Sequence, residues 1–267
     1  MRKIDGIGLH RALLTAASSM ILGISCSSAV AANRGPGVWC ERGSDCPMTE
    51  HERRLAASLR RITGFCDVRF APDGSLSVGD FSAAAGGSAE ARQLLVRVLR
   101  SGMTFVIEDH SGSGAVNFGQ ILREEILQDR EKSSEVWRVQ LDFEDFRQMD
   151  ASREVRAAFD EGFTLLHELL HGLGYKDAFR MRELGECEEI VNRMRSELGL
   201  PLRDEYFGEA WRMTEKITSV RMRFRNRTPT GKGTRWQSHY LFFVLNQSIE
   251  SSPIIRSVTR VDKPSRN

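Results

Sequence analysis

Two histidines and a glutamate stand close together at His167-Glu168-Leu169-Leu170-His171, an H-E-x-x-H run. Residues four apart on a helix share a face, so both imidazoles can point at one metal ion. Glu168 lies one residue round, beside such an ion rather than on it. There it can take a proton from a water that the ion acidifies. The chain holds only six histidines in 267 residues, so the spacing is informative. Leu165-Leu166 and Leu169-Leu170 set the motif in a buried amphipathic helix rather than on a surface with stray histidines.

A catalytic zinc takes three protein ligands and keeps a fourth position open. Two sources of the third ligand compete. His171-Gly172-Leu173-Gly174-Tyr175-Lys176-Asp177 extends the motif to H-E-x-x-H-x-x-G-x-x-D. A left-handed Gly174 would end the helix and return the chain so that Asp177 reaches the ion. The other source is a glutamate on the next helix, Glu189 or Glu186, which needs no break.

With these residues the chain resembles the zincin metallopeptidases, over roughly residues 100–210. The extended motif is similar to the metzincin pattern with Asp at the usual third His; a helix glutamate would be the gluzincin arrangement. The resemblance implies an α+β fold with a mixed sheet and an edge strand just before the active-site helix, a place taken here by Val136 to Phe143. It implies zinc as cofactor and a peptide or protein substrate lying extended along that strand. It also implies a methionine under the metal, for which Met181, Met194 and Met213 compete. Asn192 to Tyr206 looks like the segment after the motif in some bacterial secreted or effector-type metallopeptidases. That would bring Tyr206 or Arg203 over the site to hold an oxyanion, with His239-Tyr240 as a rival.

Elements must position these groups. Thr49 with Glu52 is a capping box opening a helix through Leu55, Leu59 and Ile62, stopped by Gly64. Ala71-Pro72-Asp73-Gly74 joins two short strands, Cys66 to Phe70 and Ser75 to Val78. Ser88 caps a helix with Leu94, Leu95, Val98 and Leu99. Met103 to Glu108 reads as a strand, with Ala115 to Phe118 returning as its partner across a Gly/Ser turn. In Val136 to Phe143, Trp137, Val139, Leu141 and Phe143 point one way. One long helix is expected from about Ser152 to Leu173, another from about Glu183 to Leu198. Strands follow at Met222 to Phe224 and Tyr240 to Leu245, with a turn at Thr228 to Gly233. No linker divides 32–267, so one domain is expected, with a loop-rich lead-in at 32–48.

The first 31 residues read as a signal peptide: Arg2, Lys3 and Arg11, an apolar Ala12 to Ile24, and Ala29-Val30-Ala31 for cleavage. A looser alternative is a lipid anchor at Cys26, after Leu22-Gly23-Ile24-Ser25. Cleavage removes one cysteine of five and leaves Cys40, Cys46, Cys66 and Cys187. An even count in an oxidising compartment suggests Cys40–Cys46 and Cys66–Cys187 bridges. No C-x-x-C is present to suggest a cysteine zinc site.

The formal charge is +2, and losing Arg2, Lys3, Arg11 and Asp5 makes the mature chain neutral. That argues against a nucleic-acid binder driven by bulk charge. Hydrophobic residues at 40% and charged residues at 28% exclude a disordered chain. The arginines at 221, 223, 225 and 227 alternate as the solvent face of a strand, and His110 follows no ligand spacing. The expectation is an exported, monomeric zinc metallopeptidase, periplasmic or extracellular, without a membrane span. Glu168 is its general base, and His167, His171 and Asp177 its ligands. The alternatives are a secreted module that zinc merely stabilises, and a toxin-like effector protease with one protein target.

Overall fold

The computed structural model describes residues 34–41, 49–112, 116–128, 132–180, 183–212, 218–230 and 233–245. The expected signal peptide, Cys26, Cys46, Met181 and Met213 lie outside them. Helices and sheets are both present, one sheet mixed and the others antiparallel, consistent with an α+β chain.

The first sheet has the order β1-β4-β6-β5, from β1 (Gly37–Cys40), β4 (Thr104–Asp109), β5 (Gly119–Gln128) and β6 (Lys132–Leu141). The first three are parallel; β5 runs antiparallel to β6. Alternation sorts their side chains between two faces. Phe105, Ile107, Val139 and Leu141 enter the larger core. Val106 and Val136 pack on the other face, where Arg138 is clamped between Glu108 and Glu124. Four helices complete the larger core: α1 (Glu50–Thr63), α2 (Ala89–Leu99), α5 (Glu161–Gly172) and α6 (Gly185–Glu197). The Thr49–Glu52 capping box and the Ser88 cap form as expected. So does the small hairpin of β2 (Val68–Phe70) and β3 (Leu76–Val78).

The second sheet, entirely antiparallel, runs β7-β11-β10-β8, with β9 also on β10. Its strands are β7 (Asp150–Ala151), β8 (Leu202–Arg203), β9 (Glu209–Arg212), β10 (Thr218–Thr230) and β11 (Gly233–Leu245). Val220, Met222, Phe224, Leu241 and Phe243 pack there against Phe146 of α3 (Phe143–Gln148) and Val155 of α4 (Arg153–Ala158). Among the described residues no helix is long and apolar enough to cross a membrane.

Several sequence expectations need correction. Gly37–Cys40 is a strand, not lead-in loop, because Val38 and Cys40 are buried against β4. Val116 to Phe118 forms no strand: Phe118 turns at φ 61 and drops its ring into the second core. The return strand is β5, and it pairs with β6 because β4 is flanked on both sides. Phe143 opens α3 instead of extending the strand, capped by Asp142. β6 is therefore an interior strand; β1 and β5 hold the sheet edges. The long helix is two. Asp160 accepts from Phe163 N to start α5 afresh, and Phe159 turns into the second core. The C-terminal hairpin is longer than expected, paired from Thr218↔Leu245 to Thr230↔Gly233.

Candidate metal centre

α5 is buried on nearly every side, so its polar residues must find partners inside the protein. His167 and His171 sit one turn apart, their ring centroids 5.1 Å from each other. The helix ends at Gly172, and the turn closes through Gly174 N to His171 O at 2.9 Å and Tyr175 N to Leu170 O at 3.1 Å. Gly174 has φ 93, a value that favours glycine. The chain then returns, and Asp177 bridges to Gly185 at the start of α6. Gly185 has φ 76, and a Cβ there would lie 2.1 Å from Ala178 N, so only glycine allows this approach.

That return places the Asp177 carboxylate between the two imidazoles. Oδ1 lies 3.1 Å from His167 Nε2, and Oδ2 lies 3.2 Å from His171 Nε2. Neighbouring ligand atoms around a tetrahedral ion with bonds of about 2.0–2.1 Å are roughly 3.3 Å apart. Oδ1 is fully buried, yet no donor meets it in hydrogen-bonding geometry. The other ring nitrogens face the protein. His167 Nδ1 is 3.5 Å from Glu188 Oε2; His171 Nδ1 is 3.1 Å from Tyr175 O and 3.6 Å from Cys187 Sγ. Partners on Nδ1 leave Nε2 as the nitrogen for a metal. His167, His171, Asp177 and Cys187 offer ligand atoms all within 4.8 Å of one another, a donor set able to hold a metal ion.

Charge follows this geometry. Burial works against ionising His167, but the carboxylates of Asp177 and Glu188 outweigh it and lift its pKa to about 10. Burial also opposes charge on Asp177, and the two imidazoles reverse the effect, holding it well below the usual carboxylate range. Glu168, 7% exposed, is pushed up by burial, partly offset by His167 and His171. Burial, then Asp177, push the Tyr206 hydroxyl up, so it remains a donor.

Tyr206 lies beside His167 and Asp177. Its ring stacks on His167 at 5.9 Å, and its hydroxyl donates to Asp177 Oδ2 at 2.6 Å. Arg203 does not reach over the site: its guanidinium is buried against Glu188 Oε2 at 3.2 Å and the Tyr206 carbonyl oxygen. His239 is on β11 beside Asn226, and His110 pairs with Glu108. Glu186 is exposed and accepts from Lys176 N at 3.0 Å, while Glu189 is exposed on α6. Met194 is packed in the larger core.

Two residues of the cluster escaped sequence reasoning. Cys187 is buried beside His171, and Cys66 is exposed; both are free thiols, which corrects the expected bridge between them. Cys187 leads the apolar stripe Cys187-Ile190-Val191-Met194, which was the available signal that it faces α5. Glu188 leads the next stripe, with Asn192 and Arg195, also buried. Its carboxylate bonds Arg195, whose Nε donates to Ala158 O at 2.7 Å. Comparison with protein-family models, curated proteins and solved structures finds no match to this chain.

Proposed function

We propose that this protein is an exported, zinc-dependent metallopeptidase. The observation that supports it most is the Asp177 carboxylate lying between two Nε2 atoms, one oxygen buried without a hydrogen bond, with Glu168 buried on the same helix. His167, His171 and Asp177 would hold the ion; two nitrogens and a carboxylate oxygen suit zinc. Zinc, when bound, supplies a Lewis acid toward a carbonyl oxygen and lowers the pKa of water.

The chain's own residues do the rest. Glu168 accepts the proton of the attacking water and passes it to the leaving amine, helped by burial that raises its pKa and makes it a stronger base. Tyr206 holds Asp177 through its hydroxyl; the oxyanion role requires that hydroxyl to leave Asp177. Since both edges of β6 are paired, an extended peptide would add to the outer edge of β5 instead.

Cys187 favours a second reading, a closed four-ligand site that only stabilises the fold. The thiol sits against Nδ1 of His171, whereas Asp177 faces Nε2, so it lies behind the ring rather than across from the carboxylate. Zinc content, together with cleavage of a peptide library by wild type and Glu168→Gln, tests the assignment. Zinc without Glu168-dependent cleavage would leave the structural reading.

A further inference from the structure

Three features outside the proposed chemistry stand out. On the outer face of the C-terminal hairpin, arginines stack on Trp236 and Tyr240. Arg221 is already paired with Glu209, and Arg223 and Arg225 with Asp204, so that face is largely neutralised. The His51–Asp109 pair is a half-exposed dyad stacked on Phe143, and its neighbour Ser111 is spent on Asp109 and on capping Phe143 N. The buried Glu188–Arg195–Arg203 cluster goes further, because it touches the metal centre twice.

Arg203 reaches both sides of the site at once. One amino group meets Glu188 Oε2 at 3.2 Å, the same oxygen that faces His167 Nδ1 at 3.5 Å. The other donates to the Tyr206 carbonyl, and the guanidinium lies 5.0 Å over the Tyr206 ring. Its backbone is fixed by Asn192, whose Oδ1 accepts from Arg203 N at 2.9 Å and whose Nδ2 donates to Arg203 O at 2.8 Å. Charges this deeply buried persist only when paired, so Glu188 is held where Arg195 and Arg203 put it.

We propose that Glu188 and Arg203 are positioning residues: Glu188 fixes the His167 ring with Nε2 toward the metal, and Arg203 ties that carboxylate to the Tyr206 segment. The inference rests on the zinc reading above. Removing an outer partner of a metal-bound histidine weakens metal affinity typically about 10–100-fold.

The test is zinc affinity by chelator competition, with folding followed by circular dichroism. Glu188→Gln and Arg203→Lys should each bind zinc about 10–100-fold more weakly than wild type. Glu189→Ala, one residue on and exposed, should leave affinity within a few-fold. Unchanged affinity in a folded Glu188→Gln protein would overturn the proposal, even with wild-type hydrolysis intact. Because either charge variant can unfold the chain, ¹⁵N-histidine NMR of zinc-loaded wild type gives an independent answer. His167 should show a protonated Nδ1 and a metal-bound Nε2; a metal-bound Nδ1 would overturn it. Failure of wild type to bind zinc would instead defeat the functional assignment itself.

Discussion

His167 Nε2 and Asp177 Oδ1 face each other at 3.1 Å, and the carboxylate oxygen, though buried, receives no directed hydrogen bond. A cation placed between them satisfies both. The third-ligand question therefore has a sharp form. Asp177→Ala and His171→Ala should weaken zinc binding strongly, measured by chelator competition. Glu186→Ala and Glu189→Ala should leave it nearly intact, since Glu189 is exposed on α6 and Glu186 is used on Lys176 N. Stoichiometric, tight zinc in His171→Ala would remove the assignment.

Glu168→Gln should keep zinc and the melting temperature but lose about 10²–10⁴ in turnover. Gln is nearly isosteric and takes no proton. Peptide cleavage at saturating substrate, beside metal content, checks this. Equal rates in the two proteins would mean that Glu168 is not the base.

Much of this centre was legible in the sequence, for definite reasons. His167, Glu168 and His171 are local: a helix's periodicity alone sets their relation. Asp177 was legible as one of two options, because Gly174 permits a reversal without requiring it. The break at Phe159-Asp160 was hidden, since an apolar stripe runs through it and only the Asp160 cap decides. The place of β6 inside the sheet was hidden too, because strand order depends on pairing between distant segments, which no local pattern encodes. Glu188 differs from Glu189 by one residue, yet a step of 100° round the helix separates a buried neighbour of His167 from solvent.

The thiols should differ in reactivity. Cys66 is exposed and should react with an alkylating reagent in the native protein. Cys187 is buried, with burial and the nearby carboxylates pushing its pKa up, so it should react only after unfolding. Mass mapping after timed alkylation reads both. A Cys66–Cys187 peptide in a non-reducing digest would contradict the arrangement.

Asp145 should tune stability with pH. Burial, followed by Asp142 and Glu144, raises its pKa to about 6, against hydrogen bonding from Phe118 N. A carboxyl raised on folding binds its proton more tightly in the folded state. The penalty is therefore absent below about pH 4 and grows as pH rises through about 6. Partial exposure limits it to roughly 1–2 kcal/mol. Asp145→Asn should flatten this part of the profile, measured by denaturant unfolding from pH 4 to 7. Parallel profiles for the two proteins would show that Asp145 ionises normally.

The return turn gives the last prediction. Gly174 and Gly185 both adopt left-handed conformations, but they differ in surroundings. A Cβ on Gly174 meets nothing within 4 Å, whereas one on Gly185 lies 2.1 Å from the backbone nitrogen of Ala178. Gly174→Ala therefore carries only the conformational strain, about 1–2 kcal/mol. Gly185→Ala carries similar strain and must also push apart the strand-like contact that seats Asp177 beside α6. Backbone atoms on both sides cannot rotate away as a flexible side chain would. Both variants should melt earlier than wild type, Gly185→Ala by more. Zinc affinity should separate them further, falling at least tenfold beyond Gly174→Ala, because the displaced segment carries the carboxylate. Equal zinc affinities in the two folded variants would show that the Asp177–Gly185 contact does not hold the ligand in place.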